Sequence, residues 1–379
     1  MDRIYFDYAS TTPTDPEVIQ AMEPFWFERF GNASSPHTPG REASKALENA
    51  RQGLARLIGA QPEEIVFTSG ATESNNFALS GLARKNRERG QRIVVSRVEH
   101  HSVLAPAEAL SREGFQVTYL DVDAEGLVDP QAVRAVLTDD TIIVCVMHAS
   151  NEIGTIQPVA EIGQIIKGRG VAFLVDAVQT VGHIPVDVNE LGADLLSLSA
   201  HKFYGPKGIG ALYIRKGTPL RSFLLGGDQE KSRRASTQNV AGAVGLAKAT
   251  ELAVRKMREE QDLQTRLRDR LLTEIPQAIA GVKVNGHVHK RLPNNVHFSF
   301  EGIQGEALLM SLDMAGFAAS MGSACTSGAL EPSHVLRAIG LDDRLAYGAL
   351  RITLGRWTTQ EEVEQLIRQL PAMVEQLRS

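Results

Sequence analysis

Two residues of this chain have nucleophilic chemistry and surroundings that suit it. Lys202 ends an apolar run and precedes a turn rich in glycine and proline. Isolated lysines are nearly always solvated charges, but a partly desolvated amine is suited to form a Schiff base, and Lys207 is the nearby competitor for that role. Cys325 lies in a segment of small and polar residues that offers nothing to bury its thiol. Because exposed thiols outside catalysis are usually avoided, the segment 320–328 favours a nucleophilic cysteine.

A turn at residues 69–75 could hold a phosphate group. It follows an apolar strand-like run and opens a helical stretch, so several backbone amides and the positive end of the helix converge there. The alternative is an ordinary glycine-containing turn in which Thr72 caps the helix. The chain has neither the lysine spacing of a Walker A loop nor the glycine triplet of dinucleotide-binding folds, so the usual nucleotide motifs are absent.

Other polar residues follow the ends of predicted strands. Asp176 ends the run 172–176 and Gln179 follows shortly after, at the edge of the sheet where open α/β folds bind ligands. An aspartate in this place can equally be a cap for the next helix. His100 and His101 follow another predicted strand, where either could be inert or could stack on a planar ring and relay protons.

The elements that must position these residues alternate along the chain. Short β-branched runs alternate with helical stretches between about residues 60 and 215, which predicts an α/β fold with a mostly parallel seven-stranded sheet. Asp15-Pro16 and Asp129-Pro130 each combine a helix N-cap with proline at the first helical position. The predicted strands are 64–68, 92–96, 116–120, 141–146, 172–176, 194–199 and 210–214.

The pattern changes after Thr237. Residues 240–274 have apolar side chains at helical spacing, and Pro276 is expected to stop this long helix. A smaller α+β unit is predicted to follow. We therefore expect a large domain of residues 12–255 and a small domain that combines residues 1–11 with residues 256–379. The runs assigned to the smaller unit are 282–284, 295–300, 304–314 and 351–354.

Composition and charge exclude several classes of protein. The 379 residues carry a formal net charge of -5, so no overall attraction to nucleic acid or to an anionic membrane is expected. The longest apolar runs are too short to cross a bilayer, and the chain does not start with a basic stretch followed by an apolar run. Only two cysteines occur, Cys325 and Cys145, and we interpret Cys145 as a core residue. This cysteine usage argues against a disulfide framework, and we expect a cytoplasmic enzyme.

Motifs spread over nearly the whole chain resemble one enzyme family. Together they are similar to the NifS-type cysteine desulfurases, which depend on pyridoxal 5'-phosphate and belong to the class-V aminotransferase family, with the type I fold of such enzymes. The last motif resembles the subgroup with a long cysteine-bearing loop. The motifs are Tyr5-Phe6-Asp7-Tyr8-Ala9-Ser10-Thr11-Thr12-Pro13, Ser69-Gly70-Ala71-Thr72-Glu73-Ser74-Asn75, Asn151-Glu152-Ile153-Gly154, Val175-Asp176-Ala177-Val178-Gln179, His201-Lys202 and Gly322-Ser323-Ala324-Cys325-Thr326-Ser327.

The resemblance implies how the cofactor ring is held. Lys202 would carry pyridoxal phosphate as a Schiff base and later move the Cα proton of the substrate. Asp176 would face the pyridine nitrogen and keep it protonated. Gln179 would bond the phenolic oxygen, and His100 would stack on the ring and act as acid and base.

The resemblance also implies how the phosphate and the substrate are bound. Asn151 and Arg351 would bind the substrate carboxylate, because the planar fork of arginine matches two oxygens. Thr237 would reach over from a second subunit, which implies a homodimer. The phosphate ligands would be the amide of Ala71 and the side chains of Thr72, Ser199, His201 and the second subunit's Thr237.

The implied reaction converts L-cysteine to L-alanine and leaves the sulfur on Cys325 as a persulfide. The acceptor would be a protein such as an iron-sulfur scaffold, or another thiolation pathway. Ser236 stands where the family commonly has glycine before the phosphate-binding threonine, so the contact of Thr237 is expected to depend on whether that backbone needs a positive φ.

Two other hypotheses stay open at this point. One keeps the cofactor and changes the reaction to that of a transaminase or of a lyase acting on cysteine or selenocysteine, and Cys325 decides between this and the desulfurase. The other is a catalytically silent subunit or sulfur carrier. The presence of both Lys202 and Cys325 weighs against it.

Overall fold

A computed structural model describes residues 3–322 and 332–378 of the chain. Cys325 lies outside the described residues. The strands of these residues are β1 (Ile4–Tyr5), β2 (Ile65–Thr68), β3 (Arg92–Ser96), β4 (Gln116–Leu120), β5 (Thr141–Cys145), β6 (Ala172–Asp176), β7 (Leu195–Ser199), β8 (Gly210–Ile214), β9 (Val282–Val284), β10 (Asn295–Phe300), β11 (Phe317–Ala318) and β12 (Ala349–Thr353). The helices are α1 (Pro16–Met22), α2 (Pro24–Phe27), α3 (Thr38–Leu57), α4 (Ala71–Lys85), α5 (His101–Arg112), α6 (Pro130–Val136), α7 (Val159–Ile166), α8 (Gln229–Ser232), α9 (Val240–Ala278), α10 (Gly305–Met314), α11 (His334–Ala338), α12 (Asp343–Tyr347) and α13 (Gln360–Arg378).

Seven of these strands form the central sheet. Their order is β2-β8-β7-β6-β5-β3-β4, and β8 runs antiparallel to both of its neighbours while the other pairs are parallel. Each strand coincides with one predicted apolar run to within one residue at either end. The predicted α/β fold with a mostly parallel seven-stranded sheet is confirmed.

Apolar residues build a core on each face of the central sheet. Val94 and Val144 lie in a cluster with α3, α6, α7 and the first half of α9. Ile93 and Cys145 lie in a second cluster with α4 and α5. Since helices cover both faces, the strands can be apolar throughout. Cys145 is fully buried, which confirms that it is a core residue.

Helix α9 connects two cores. Leu246 and Leu252 lie in the core of the central sheet, and Leu267 and Leu271 lie in the core of the smaller sheet. The predicted domain boundary at residue 255 falls inside this helix and stays a prediction. No helix of residues 3–322 and 332–378 combines the length and the apolar character needed to cross a membrane.

The expectation that Pro276 stops α9 was wrong. The helix continues through Pro276 to Ala278. Proline has no backbone N–H, so Pro276 removes one helical hydrogen bond. The helix ends shortly after this residue, so few further turns depend on that bond. The amide of Ile279 still donates to the carbonyl of Ile275 at 3.0 Å, which closes the last turn.

The C-terminal strands form a separate, smaller sheet. β9, β10 and β12 are antiparallel in the order β12-β10-β9, and β1 pairs with β11 in parallel. Their apolar residues pack with α10, α13 and the second half of α9. Phe6 belongs to this core, so the first residues of the chain are tied to its C-terminal part. The predicted runs of this unit correspond to β9, β10, α10 and β12.

The two helix starts marked by aspartate and proline are confirmed. Asp15 accepts from the amide of Glu17 at 2.9 Å, and Asp129 accepts from the amide of Gln131 at 2.8 Å. Each bond satisfies one of the free amides at the start of a helix.

Candidate active site

A cavity of about 490 Å³ opens at the carboxyl edge of the central sheet. Thr237 is exposed and is not among the described residues that line it. His101 and Lys207 line the cavity as well. Most residues that the sequence singles out meet here: Ala71, Thr72, His100, Asn151, Asp176, Gln179, Ser199, His201, Lys202 and Arg351.

Asp176 is buried at the end of β6, and both of its carboxylate oxygens are hydrogen-bonded. Oδ1 accepts from the amide of Val178 at 3.0 Å, and Oδ2 accepts from Asn75 Nδ2 at 2.8 Å. Asn75 also donates to Ser102 Oγ at 2.9 Å, so α4 and α5 together orient the carboxylate. Asp176 therefore caps the following turn and also lines the cavity, and the two interpretations of this residue are compatible.

Lys202 lies in a single helical turn directly after β7. Its Nζ donates to the carbonyls of Ala9 at 2.6 Å and Ser10 at 2.8 Å. Gln179 Nε2 also donates to the carbonyl of Ala9, at 3.0 Å. The N-terminal segment thus forms one wall of the cavity around a half-buried amine, whereas the competitor Lys207 is exposed.

His100 is the N-cap of α5. Its Nδ1 accepts from the amide of Ser102 at 3.1 Å and lies 2.8 Å from Ser102 Oγ. Because Nδ1 accepts, the neutral ring carries its hydrogen on Nε2. Burial lowers the pKa of His100, and nearby Lys202 lowers it further, although Asp176 raises it. The ring is therefore favoured in its neutral form, in which Nε2 can donate its hydrogen.

The turn before α4 is suited to bind an anion. Gly70 is the N-cap, with a φ of 154°, and no side chain caps the helix. The alternative in which Thr72 caps the helix is therefore wrong, because Thr72 is the second helical residue. A Cβ added to Gly70 would lie 3.6 Å from Ser199 Oγ, so this hydroxyl stands beside the uncapped amides. Uncapped amides, a helix start and neighbouring hydroxyls fit a phosphate group.

His201 lines the same cavity. Its Nδ1 is 3.1 Å from Thr11 Oγ1. Burial lowers the pKa of His201 to about 4, with contributions from Lys202 and Lys207. A neutral imidazole here can donate one hydrogen bond to an anion without adding a second charge beside the lysine amine.

Arg351 extends from β12 into the cavity wall. Nη1 donates to the carbonyls of Asn151 at 2.9 Å and Gly322 at 3.0 Å. Nη2 donates to Asp7 Oδ1 and to Ser10 Oγ, each at 2.8 Å. Nε is buried and has no hydrogen-bond partner among the described residues. The guanidinium is thus held rigidly at the junction of the two sheets.

The segment before α9 contacts the turn before α4 of this same chain through a residue other than Thr237. Arg234 donates to both carboxylate oxygens of Glu73, at 2.8 and 3.1 Å, and Glu73 lines the cavity. Ser236 has a φ of 96°, so the position where the family commonly has glycine does adopt a positive φ. Thr237, next to it, is exposed.

Several residues of this site were not predicted from the sequence. Asp7, Ser10 and Asn75 were quoted only as parts of motifs, and no role was assigned to them. Glu152 is buried directly beside Asn151 and was missed in the same way. The sequence feature that could have identified these residues is their position inside motifs whose other members line the cavity.

Comparisons with known proteins cover nearly the whole chain. Residues 4–366 match the family model described as Aminotransferase class-V. The cysteine desulfurase IscS of Dictyoglomus turgidum is 52% identical over 99% of this chain and 95% of its own length. The cysteine desulfurase IscS of Methanosarcina thermophila is 49% identical over 99% of this chain and 93% of its own length.

Solved structures agree with the sequence relatives. A NifS-like protein superposes with a TM-score of 0.93 at 39% identity, covering 99% of this chain and 100% of that chain. SspA in complex with cysteine superposes with a TM-score of 0.83 at 35% identity, covering 94% of this chain and 100% of that chain.

Proposed function

The chain belongs to the class-V aminotransferase family, and from this premise we propose that it acts as a cysteine desulfurase that transfers sulfur from L-cysteine to Cys325. The observation that carries the proposal is one cavity that is lined by Lys202, by Asp176 and by the residues at the uncapped start of α4. The family's cofactor is pyridoxal 5'-phosphate, and the residues present fit it.

The cofactor would be held at its ring nitrogen by a carboxylate and at its phosphate by hydrogen-bond donors. Asp176, fixed by two hydrogen bonds, would hold the proton of the pyridine nitrogen. His100 would stack on the ring, and Gln179 would contact the phenolic oxygen. The phosphate would be bound by Ala71, Thr72, Ser199 and His201 of this chain and by Thr237 of a second copy.

When bound, pyridoxal phosphate supplies an electron sink for the electron pair that remains when the substrate loses its Cα proton. Lys202 would hold the cofactor covalently, and its Nζ would accept that proton once the substrate amine has replaced it on the cofactor. The Ala9 and Ser10 carbonyls place Nζ within the cavity. The neutral ring of His100 would exchange a second proton.

Arg351 and Asn151 would bind the substrate carboxylate. Nη1 and Nη2 of Arg351 each make two hydrogen bonds already. Each of these nitrogens carries two hydrogens, so an incoming carboxylate has to replace one of the present acceptors. Asp7, itself a carboxylate, occupies one of these positions, which supports the proposal that this guanidinium binds a carboxylate.

The overall transfer is balanced without an external oxidant. L-cysteine and the Cys325 thiol give L-alanine and a Cys325 persulfide: the C–S bond breaks, an S–S bond forms, and the organic fragment gains hydrogen on carbon. The persulfide would then pass its terminal sulfur to a thiol of an acceptor protein, such as an iron-sulfur scaffold.

Exposed apolar residues support a homodimer. The exposed fractions of Trp26, Phe27 and Phe30 are 69%, 85% and 73%. Aromatic side chains clustered along one short stretch and left this exposed are typical of a protein interface. The exposure of Thr237 away from its own cavity agrees with a role in the site of a second copy.

The test replaces the two cysteines separately. Cys325→Ala is expected to keep the visible absorbance of the bound cofactor and to lose both persulfide formation and sulfide release. Cys145→Ala is the matched control, since Cys145 is buried away from the cavity, and it should still accumulate persulfide. Mass spectrometry after incubation with L-cysteine locates the added sulfur. Unimpaired turnover by Cys325→Ala would instead point to a lyase or a transaminase.

A further inference from the structure

Glu152 is a buried carboxylate for which the proposed reaction has no use. Glu152 directly follows Asn151, is 3% exposed and lines the cavity. Its own backbone is well fixed, because its amide lies 3.3 Å from Ser150 Oγ and its carbonyl accepts from Asn295 Nδ2 at 3.1 Å. A charged side chain in such a place needs a specific partner to offset its desolvation.

The partner of Glu152 lies at one end of the cysteine-bearing segment. Ser333 Oγ donates to Glu152 Oε2 at 2.5 Å. The same hydroxyl accepts from the amide of Val335 at 3.0 Å, so it also caps α11. Glu152 thus fixes the first described helix that follows the segment 323–331.

The other described end of the segment packs against the same side chain. A Cβ added to Gly322 would lie 3.2 Å from Glu152 Oε2 and 3.4 Å from its Cβ and Cγ. The carbonyl of Gly322 accepts from Arg351 Nη1 at 3.0 Å, and Arg351 also donates to the carbonyl of Asn151. Glu152 therefore lies between the two ends and beside the proposed carboxylate subsite.

We propose that Glu152 is a positioning residue for sulfur transfer: its hydrogen bond to Ser333 and its packing against Gly322 fix, beside Asn151, the two described ends between which Cys325 stands in the sequence. The inference rests on the proposed function and deepens it. Fixing both ends of a chain segment lowers the entropy that must be lost when its nucleophile reaches the reacting atom. Glu152 itself makes no contact with the reacting atoms in this role.

The proposal predicts which kinetic step changes. In the holoenzyme, Glu152→Ala and Ser333→Ala should each slow single-turnover persulfide formation on Cys325 by roughly 10- to 100-fold, because the nucleophile is misplaced. The change in the cofactor spectrum on adding L-cysteine, and the cysteine concentration that half-saturates it, should stay within about threefold of the parent protein. Rapid quenching with an alkylating reagent and mass spectrometry measures the first quantity.

Glu152→Gln is the matched control. Burial raises the pKa of the Glu152 carboxyl, and glutamine has the same shape and an oxygen that accepts from Ser333. It should hold persulfide formation within about threefold of the parent protein, whereas the double variant Glu152→Ala with Ser333→Ala should be no slower than the slower single variant.

Three results would overturn the positioning role. They are a parental rate for Glu152→Ala, a glutamine variant as slow as the alanine variant, and a loss of cysteine binding that matches the loss of rate. Failure of the proposed function is distinguishable, because the parent protein itself would then form no persulfide on Cys325.

Discussion

At the scale of single residues, burial decides which histidines beside the site can be charged. His297 pairs with Arg351 across β10 and β12. Its Nδ1 is 2.9 Å from Asn285 Nδ2, and its Nε2 is 3.3 Å from the carbonyl of Met321. A neutral ring satisfies both contacts, with Nδ1 accepting and Nε2 donating. Burial, helped by the charge of Arg351, lowers the pKa of His297 to about 3.

This histidine should make the protein sensitive to acid. The folded-state pKa lies below the unfolded value of about 6.5, so between these values the unfolded chain binds a proton that the folded chain does not. The contribution of His297 to the free energy of unfolding is therefore complete above its pKa in the unfolded chain. It is lost as the pH falls toward its pKa in the folded chain. We expect a loss of about 2 kcal/mol between about pH 7.5 and pH 5 from this group alone.

The measurement compares the parent apoprotein with His297→Asn. Urea unfolding at both pH values gives the free energy of unfolding, and the variant should lose about 2 kcal/mol less than the parent over this interval, even if its absolute stability is lower. Equal losses in the two proteins would contradict the assignment.

At the scale of elements, the turn before α4 that is proposed to bind the phosphate depends on a close approach between that turn and β8. The strand order places β8 between β2 and β7, and Gly70 in the turn that follows β2 lies beside the first residue of β8, Gly210. A Cβ added to Gly210 would lie 2.5 Å from the carbonyl oxygen of Leu198 and 2.7 Å from the Cα of Gly70. Backbone atoms cannot yield as a flexible side chain does, so a side chain at residue 210 has to displace the turn.

Gly210→Ala should therefore lower the free energy of unfolding by about 1 to 3 kcal/mol and weaken cofactor binding. Gly53→Ala is the control, because Gly53 lies inside α3 and an added Cβ would meet only Ala247, at 3.9 Å. That control should gain roughly 0.5 to 1 kcal/mol from helix propensity. Urea unfolding and titration of the apoprotein with pyridoxal phosphate give both quantities, and unchanged cofactor affinity in Gly210→Ala would refute the coupling.

At the scale of the whole molecule, the proposed second copy predicts a complementation result. Lys202→Ala and Thr237→Ala are placed in separately tagged chains, which are expressed together, and the mixed dimer is purified. If Thr237 acts across the interface, one site of the mixed dimer has both residues intact and binds pyridoxal phosphate as tightly as the parent protein. The Thr237→Ala homodimer should bind about 10- to 100-fold more weakly, since one hydrogen bond to a charged phosphate is lost.

The reverse result is equally clear. If Thr237 acts within its own chain, no site of the mixed dimer combines it with Lys202, and the affinity stays at the weakened value. A parent protein that is monomeric by light scattering at micromolar concentration would also contradict the proposed dimer.

The strand pattern of this protein could be predicted from the sequence because it is local information. Each central strand is a short apolar run bounded by polar turns, and each predicted run became a strand. Lys202, Asp176 and His100 could be singled out for the same reason, since parallel strands bring their carboxyl ends to one edge of a sheet. The prediction for Pro276 was wrong because a proline disrupts a helix less near its end than in its interior.

What only the tertiary structure decided are the contacts between distant parts of the chain. Asp7 meets Arg351, Asn75 meets Asp176, and Glu152 meets Ser333. Spacing along the chain encodes which face of an element is apolar, but it does not encode which element packs beside which. The sequence by itself therefore determined the elements, the residue types of the site and the family, whereas the partners that orient those residues follow from how the strands and helices pack.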